Sequence, residues 1–308
     1  MYPRLKLARN LLRDDGQLFI SIGDEEIHNL KKICDEIFGA ENFEGHIHWR
    51  RRHNQPNDPT KIIGLVTEHI LSYSKDKWFF KSVGVGKIEL TGNFSNPDND
   101  PRGDWASKPW KVGSDQSGSR YSITTPTGTV IEGEWMGDED TYKRLVADNR
   151  IIFPNNGNGS PRKKYFKFER ESEGQCATNW WPHDQFGHNQ EGNTVLTELM
   201  DGVKNTFSNP KPPRLLKNLM SISNCKPGDI VLDFFLGSAS TFHGALDYDN
   251  SLKFIGIQIP EELSESTKEH LPAIEFCRKN KLKGTIAEIA KERMRRVGQS
   301  ILNQHAGS

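Results

Sequence analysis

"DIVLDFFLGSAST", residues 229–241, decides the fold. The run from Ile230 to Phe235 is apolar apart from Asp233, and after Leu236 come four small residues: Gly237, Ser238, Ala239 and Ser240. A short apolar run ending in a glycine reads as a buried strand entering a tight turn and then a helix. Gly237 reaches backbone conformations closed to other residues, and small side chains let a ligand approach the main chain. In α/β folds this makes room for a nucleotide-like group at a helix N-terminus. A second strand, predicted over 253–259, carries Gln258 near its end, with Glu261 just beyond. Glu261 stands 24 residues after Gly237, near the spacing at which an acidic side chain grips a ribose. No Gly-x-Gly-x-x-Gly occurs, which counts against a dinucleotide and leaves room for a single nucleoside. The turn alone fits equally well an ordinary strand–turn–helix without a ligand. Such a unit usually opens its domain, yet here only 67 residues follow it.

Working outward, the first 75 residues also alternate helix and strand. A helix is predicted over 3–13, a strand over 17–22, and a second helix capped by Asp24 with Ile27, Leu30, Cys34 and Ile37 on one face and Gly39 as its stop. Two further strands read over 47–49 and 69–73. From about residue 80 to 209 the chain changes character. "NPDNDPRGDW" (96–105) and "FPNNGNGSPRKKYF" (153–166) are turn chemistry, and short strands over 120–124 and 150–153 suggest an irregular, β-leaning insertion. Regular α/β pattern returns at about 210, with a helix over 215–222. Thr285-x-x-Glu288 is a capping-box pattern before a helix carrying Ile286, Ile289, Ala290 and Val297. The expected division is 1–79, 80–209 and 210–308.

The chain has 308 residues, with 41 Lys plus Arg against 41 Asp plus Glu, so any surface for nucleic acid must be local. Its four cysteines are widely spaced, which argues against a zinc ribbon or a disulfide framework and fits a reducing cytoplasm. No apolar run approaches a membrane span. Two basic clusters offer the local surface: Arg50-Arg51-Arg52 after a strand, and Arg162-Lys163-Lys164 beside Tyr165 and Phe166. Each can hold phosphates, and each can equally be a solvated face. Arg293, Arg295 and Arg296 read as helix-end cations. "NWWPHDQFGHN" (179–189) holds two histidines and an aspartate at no standard metal spacing, so no metal site is expected, and Trp180 and Trp181 read as anchors.

With these pieces placed, "DIVLDFFLGSAST" and "KFIGIQIPEE" resemble the cofactor motifs of β-class S-adenosylmethionine-dependent DNA amino-methyltransferases. More narrowly, the chain resembles the modification subunits of type III restriction systems. "MYPRLKLARNLLRDDGQLFISIGDEEIHNLKKICDEIFG", "TEHILSYSK", "NPDNDPRGDW", "SNPKPPRLL" and "IAEIAKERMRR" fall in the family's order across nearly the whole chain. The resemblance implies an α/β, Rossmann-like methyltransferase sheet with permuted motif order, in which the catalytic half precedes a target-recognition insertion and the cofactor half comes last. That order accounts for a cofactor turn so near the C-terminus. It also implies S-adenosylmethionine as cofactor, double-stranded DNA as substrate and adenine N6 as acceptor. The residues alone leave cytosine N4 open. Implied cofactor residues are Asp233, Phe235, Gly237, Ser238, Ala239, Ser240, Gln258 and Glu261, with Lys211 and Pro212 reaching the pocket. Implied DNA contacts are Arg50, Arg51, Arg52, Arg102, Arg162, Lys163 and Lys164. A homodimer, a complementing upstream fragment and a restriction subunit are the implied partners, in the cytoplasm and away from membranes.

Two departures stand out. The family's turn is usually Phe-x-Gly-Ser-Gly-Thr, and here Ala239 and Ser240 replace the second Gly and the Thr. If position 239 needs positive φ, Ala costs roughly 1 kcal/mol or more there. The family's catalytic loop, Asp-Pro-Pro-Tyr or a close variant, is nowhere in these 308 residues, whose only adjacent prolines are Pro212-Pro213. In the family that loop supplies acceptors for the amine N–H groups and a ring to stack a flipped base. No catalytic residue is therefore assigned, and the sequence reads as beginning just downstream of its own catalytic motif. The rival readings are a non-catalytic DNA-recognition or assembly fragment on the same fold, and an oxidoreductase on a related fold, which the missing glycine fingerprint disfavours.

Overall fold

The computed structural model describes residues 1–306. The chain forms two compact units, one of residues 1–88 with 176–308 and one of 89–175. In the first, the helix Tyr2–Leu11 takes Pro3 in its first turn and buries Leu5 and Ala8. Strand β1 (Gln17–Ile22) follows as expected. The helix Ile27–Phe38 buries Ile27, Leu30, Cys34 and Ile37 on one face and stops at Gly39, whose φ is +91°. These side chains share a core cluster with Leu5, Leu18, Leu71 and Tyr73. Asp24 does not cap this helix. The helix starts three residues later, after Glu26, and the Asp24 carboxylate is engaged by His69. Strands β2 (Phe43–Arg50) and β3 (Thr67–Ser74) are longer than their apolar centres predicted, because both continue in antiparallel register beyond them.

The unit 89–175 holds β4 (Trp105–Pro109), β5 (Ser119–Thr124), β6 (Val130–Trp135), β7 (Ile151–Ile152) and β8 (Arg162–Phe166). An antiparallel sheet β4-β8-β7 and a hairpin β5-β6 enclose Trp110, Ile123, Trp135 and Ile151. This unit is narrower than the expected insertion of 80–209. Packing gives the reason: Ile88, Trp181 and Phe186 lie in one cluster with Trp49 and Leu215, and Leu196 and Met200 pack with Phe276 and Ile289. Residues 80–88 and 176–209 therefore belong to the first unit.

Back in that unit, β9 (Trp180–Trp181) pairs parallel to β2 and completes a sheet of order β1-β3-β2-β9. Trp181 is the anchor: it is fully buried and stacks on Phe186 at 4.0 Å, while Trp180 is half exposed. Strands β10 (Ile230–Asp233) and β11 (Lys253–Gly256) pair in parallel, joined through the helix Ser240–Tyr248. This pair shares no ladder with the four-stranded sheet among the described residues. Phe234 packs against the first core cluster, and Arg13 Nη1 meets Asp229 Oδ1 at 2.6 Å. β11 ends at Gly256 rather than at 259, and Ile230, Ile255, Ile257 and Ile259 are all exposed. No helix among the described residues is long and apolar enough to cross a membrane.

Candidate cofactor turn and nucleic-acid interface

β10 delivers Asp233 to the mouth of the turn. One carboxylate oxygen accepts from Phe235 N at 2.9 Å and the other from Thr241 Oγ1 at 2.6 Å, so Asp233 shapes the turn at both ends. Gly237 has φ +54°, and a Cβ there would stand 3.2 Å from the Phe207 ring. Ala239 is fully buried at φ +59° and ψ +33°, the left-handed region. The condition set by the sequence is met. Position 239 does need positive φ, and Ala holds it against a steric cost of about 1 kcal/mol or more. Burial with Leu236 and Ala290 offsets part of that cost.

Other expected cofactor residues take definite places. Gln258 Oε1 accepts from Gly237 N at 2.8 Å and its Nε2 donates to Ile259 O at 3.1 Å, so Gln258 braces the turn from just beyond the neighbouring strand. Glu261 is exposed beyond β11, and its main chain is tied to Ile259 and Ile286. Phe235 is half exposed, with the Arg4 guanidinium 4.7 Å from its ring centroid. Ser238 and Ser240 are buried and lie within hydrogen-bond reach of each other. Lys211 is drawn to the other sheet: its ammonium pairs with Glu68 and lies 5.2 Å from the Trp49 ring centroid. Pro212 is buried at the start of the helix Pro213–Ile222. It is Phe207, four residues before Lys211, that touches the turn.

Sequence reasoning missed Arg293. It is fully buried inside the helix Ile286–Ala306 rather than at its end. Its Nη1 donates to Ser240 Oγ at 2.8 Å, Ser238 Oγ at 3.2 Å and Ser238 O at 3.3 Å, and Nη2 lies 3.3 Å from His243 Nδ1. Burial pushes the guanidinium down to about 10, and burial beside Arg293 pushes His243 down to about 4. The signal was present: Arg293 continues the 286, 289/290, 297 apolar stripe, which puts a cation on a core face.

The turn fits a single nucleoside-bearing group. Its backbone is held open at two positive-φ positions, an aromatic ring is exposed beside it, and an exposed carboxylate follows the next strand. A buried hydroxyl without a partner, Thr206 Oγ1, stands one residue before Phe207.

The basic residues divide in two. Lys164 is fully buried and paired with Asp98 and, at 3.2 Å, with Asp100. Arg102 forks onto Asp100 with two contacts of 2.9 Å and reaches Asp148. That fork, with Lys164, holds the Asp100 carboxyl far below the usual carboxylate range. Arg162 donates to Ser107 Oγ and O. Lys164 and Arg102 are therefore scaffold, a correction to their assignment as DNA contacts, and Arg162 is largely committed to β4. Burial of a full charge demands a partner, and Lys164 has two within the unit, while Arg102, 26% exposed, spends its guanidinium on Asp100 and Asp148. Lys163 and Lys108 instead flank the Tyr165 ring at 5.0 and 5.2 Å. Lys163 and Tyr165 also line an open cleft of about 460 Å³ with Arg150, Phe168 and Glu169. In the first unit, Arg50, Arg51 and Arg52 make no ion pair among the described residues. The Nε atoms of Arg50 and Arg51 are buried without a partner, and Arg52 is exposed. His188 Nδ1 caps the helix Asn189–Leu199, and the His183 and His188 rings stand 6.0 Å apart.

Comparison with known proteins follows the same outline. The N6_N4_Mtase family model, described as DNA methylase, matches residues 1–269. The Mod subunit of the type III restriction-modification enzyme StyLTI from Salmonella typhimurium is 36% identical over 309 residues, covering 98% of this chain and 45% of that protein. The Mod subunit of a type III enzyme from Escherichia coli is 28% identical over 352 residues, covering 99% of this chain and 51% of that protein. The chain thus spans about half the length of these relatives. A solved structure, the PvuII DNA methyltransferase (cytosine-N4-specific), aligns over 95% of this chain and 74% of its own at 15% identity and a TM-score of 0.42, too loose for a comparison of side chains.

Proposed function

Because this chain belongs to the DNA methylase family, we propose that it is the cofactor-holding and DNA-contacting part of a restriction-modification methyltransferase acting on adenine N6 in duplex DNA. The observation that carries the reading is the turn after β10, with Gly237 and Ala239 both at positive φ and a buried arginine beneath it. When bound there, S-adenosylmethionine supplies an electrophilic methyl group. Asp233 and Gln258 hold the turn's shape, Phe235 offers a ring face, and Glu261 offers a carboxylate to ribose hydroxyls. Arg50, Arg51, Arg52 and Lys163 hold phosphates. The unit 89–175 recognises the target.

These 308 residues hold no Asp-Pro-Pro-Tyr loop, so nothing in them orients the target amine, and positioning supplies much of the barrier reduction in such a transfer. The loop comes from outside these residues, from a complementing upstream segment, and a second copy would cover the exposed strand edge rather than supply the loop. The exposed isoleucines of β10 and β11 and their separation from the other sheet support such pairing. A restriction subunit and a cytoplasmic setting complete the proposal. The rival, a non-catalytic DNA-recognition or assembly fragment, is favoured by the same missing loop, and cofactor binding separates the two. Calorimetric titration with S-adenosylmethionine should give one site per chain, weakened at least tenfold by Asp233→Ala or Glu261→Ala. Absence of binding, or binding indifferent to both substitutions, defeats the assignment.

A further inference from the structure

Three histidines outside the turn and the basic clusters have a geometry that methyl transfer does not use. His46 and His48 lie two apart on β2, hence on one face, and His69 on β3 stands opposite His48 in the antiparallel register. One ring nitrogen from each falls within 4.8 Å of the others. The ring centroids are 4.1 Å (His46–His48), 4.7 Å (His46–His69) and 5.5 Å (His48–His69) apart. His46 Nε2 and His69 Nδ1 are separated by 2.8 Å. On its other side, His69 Nε2 meets Asp24 Oδ1 at 2.9 Å. With that carboxylate accepting a hydrogen bond from Nε2–H, His69 carries its lone pair on Nδ1, aimed at the other two rings. A carboxylate that fixes the tautomer of a ligating histidine is the usual outer support of a metal site. It also explains why Asp24 leaves the helix it was expected to cap.

We propose that His46, His48 and His69 bind a divalent transition-metal ion of the zinc class, with Asp24 as the positioning residue for His69. Imidazole donors suit Zn²⁺, Co²⁺, Ni²⁺ or Cu²⁺ and not the hard Mg²⁺ or Ca²⁺. Tetrahedral coordination at about 2.0–2.1 Å places nitrogens about 3.3 Å apart. The His46–His69 pair therefore opens by about half an ångström, and the widest pair closes by side-chain rotation. Three protein ligands leave one coordination position for water or a substrate atom, the pattern of an open site rather than a closed structural one. His28 and Arg51 are the other basic groups whose charge is felt by this cluster, His28 at His46 and Arg51 at Asp24. The plain alternative is a hydrogen-bonded chain, His46 to His69 to Asp24, tying β2 and β3 to the segment after β1.

The test uses the full 308-residue protein, stripped with a chelator, dialysed and titrated with Co²⁺. The expected result is one Co²⁺ per chain with intense tetrahedral visible bands, no thiolate charge-transfer band, and displacement by Zn²⁺. His48→Gln takes no part in the hydrogen-bonded chain and should fold, yet should weaken Co²⁺ binding at least a hundredfold. His69→Ala should abolish the bands. Asp24→Asn should weaken binding about tenfold. His183→Ala, in the separate histidine group, should change nothing. Absence of saturable Co²⁺ binding by the unmodified protein, or His48→Gln binding as well as it does, overturns the proposal and leaves the hydrogen-bonded chain.

Discussion

Among the described residues two cations are buried completely, Lys164 in the unit 89–175 and Arg293 beneath the turn after β10. Their partners differ. Lys164 sits against two carboxylates, Asp98 and Asp100, and its charge is compensated locally. Arg293 makes no ion pair among the described residues. It is met by two serine hydroxyls, a carbonyl and an imidazole, and its Nε has no partner. A compensated buried charge fixes a fold, whereas an uncompensated one is tolerated where a site needs it. On this contrast Lys164 is a staple of the unit 89–175, and Arg293 braces the turn through Ser238 and Ser240.

The contrast predicts separable effects. Lys164→Met removes the cation between exposed Asp98 and buried Asp100, leaving Asp100 to Arg102 alone, and should lower the melting temperature the most, on the order of 10 °C, while leaving S-adenosylmethionine affinity unchanged. Equal effects on both readouts would break the distinction. Arg293→Met should act the other way, weakening cofactor binding about thirtyfold, on the order of 2 kcal/mol for charged hydrogen bonds lost together. Arg293→Lys should recover only part of this, because an ammonium cannot reach both serines from one planar fork. Acid should separate the two regions as well. Asp98 and Asp100 are both depressed by their cationic partners. Their contribution is fully present above the ordinary carboxylate value of about 4 and is lost as pH falls below it. Tryptophan fluorescence of Trp105 and Trp110 should therefore report loosening of the 89–175 unit below about pH 4, and Asp100→Asn should remove part of that transition.

Smaller effects sharpen the picture. Ala239→Gly relieves a left-handed alanine and should tighten cofactor binding about fivefold, corresponding to about 1 kcal/mol. An unchanged titration would show that the strain does not reach the ligand. Lys163→Ala should lower the salt slope of DNA binding by about one, and Lys164 should have no such effect when replaced in a folded protein.

How much of this was legible follows from range. Strand β1, the helix 27–38 and the turn at 237–240 rest on local periodicity and on glycine, and their residues announce them. Ala239 was legible as a question, since only the backbone could say whether its position demanded positive φ. The bounds of the middle unit were not legible, because Trp181 and Leu196 choose their neighbours by packing across the chain. Nor were the fates of Arg102 and Lys164, since a lysine in "PRKKYF" looks alike whether it meets solvent or two aspartates. The alternation of side chains along β8 sends Lys163 and Lys164 to opposite faces, a cue that short strands carry only once their pairing is known.

The most direct test is tritiated methyl transfer from S-adenosylmethionine to mixed-sequence duplex DNA by residues 1–308 alone, and then mixed with a polypeptide carrying an Asp-Pro-Pro-Tyr-type loop. The account predicts no transfer above background from the first and restored transfer from the second, with 6-methyladenine in the nucleoside digest. Robust transfer by residues 1–308 alone would contradict it, and would mean that another set of residues in this chain orients the target amine.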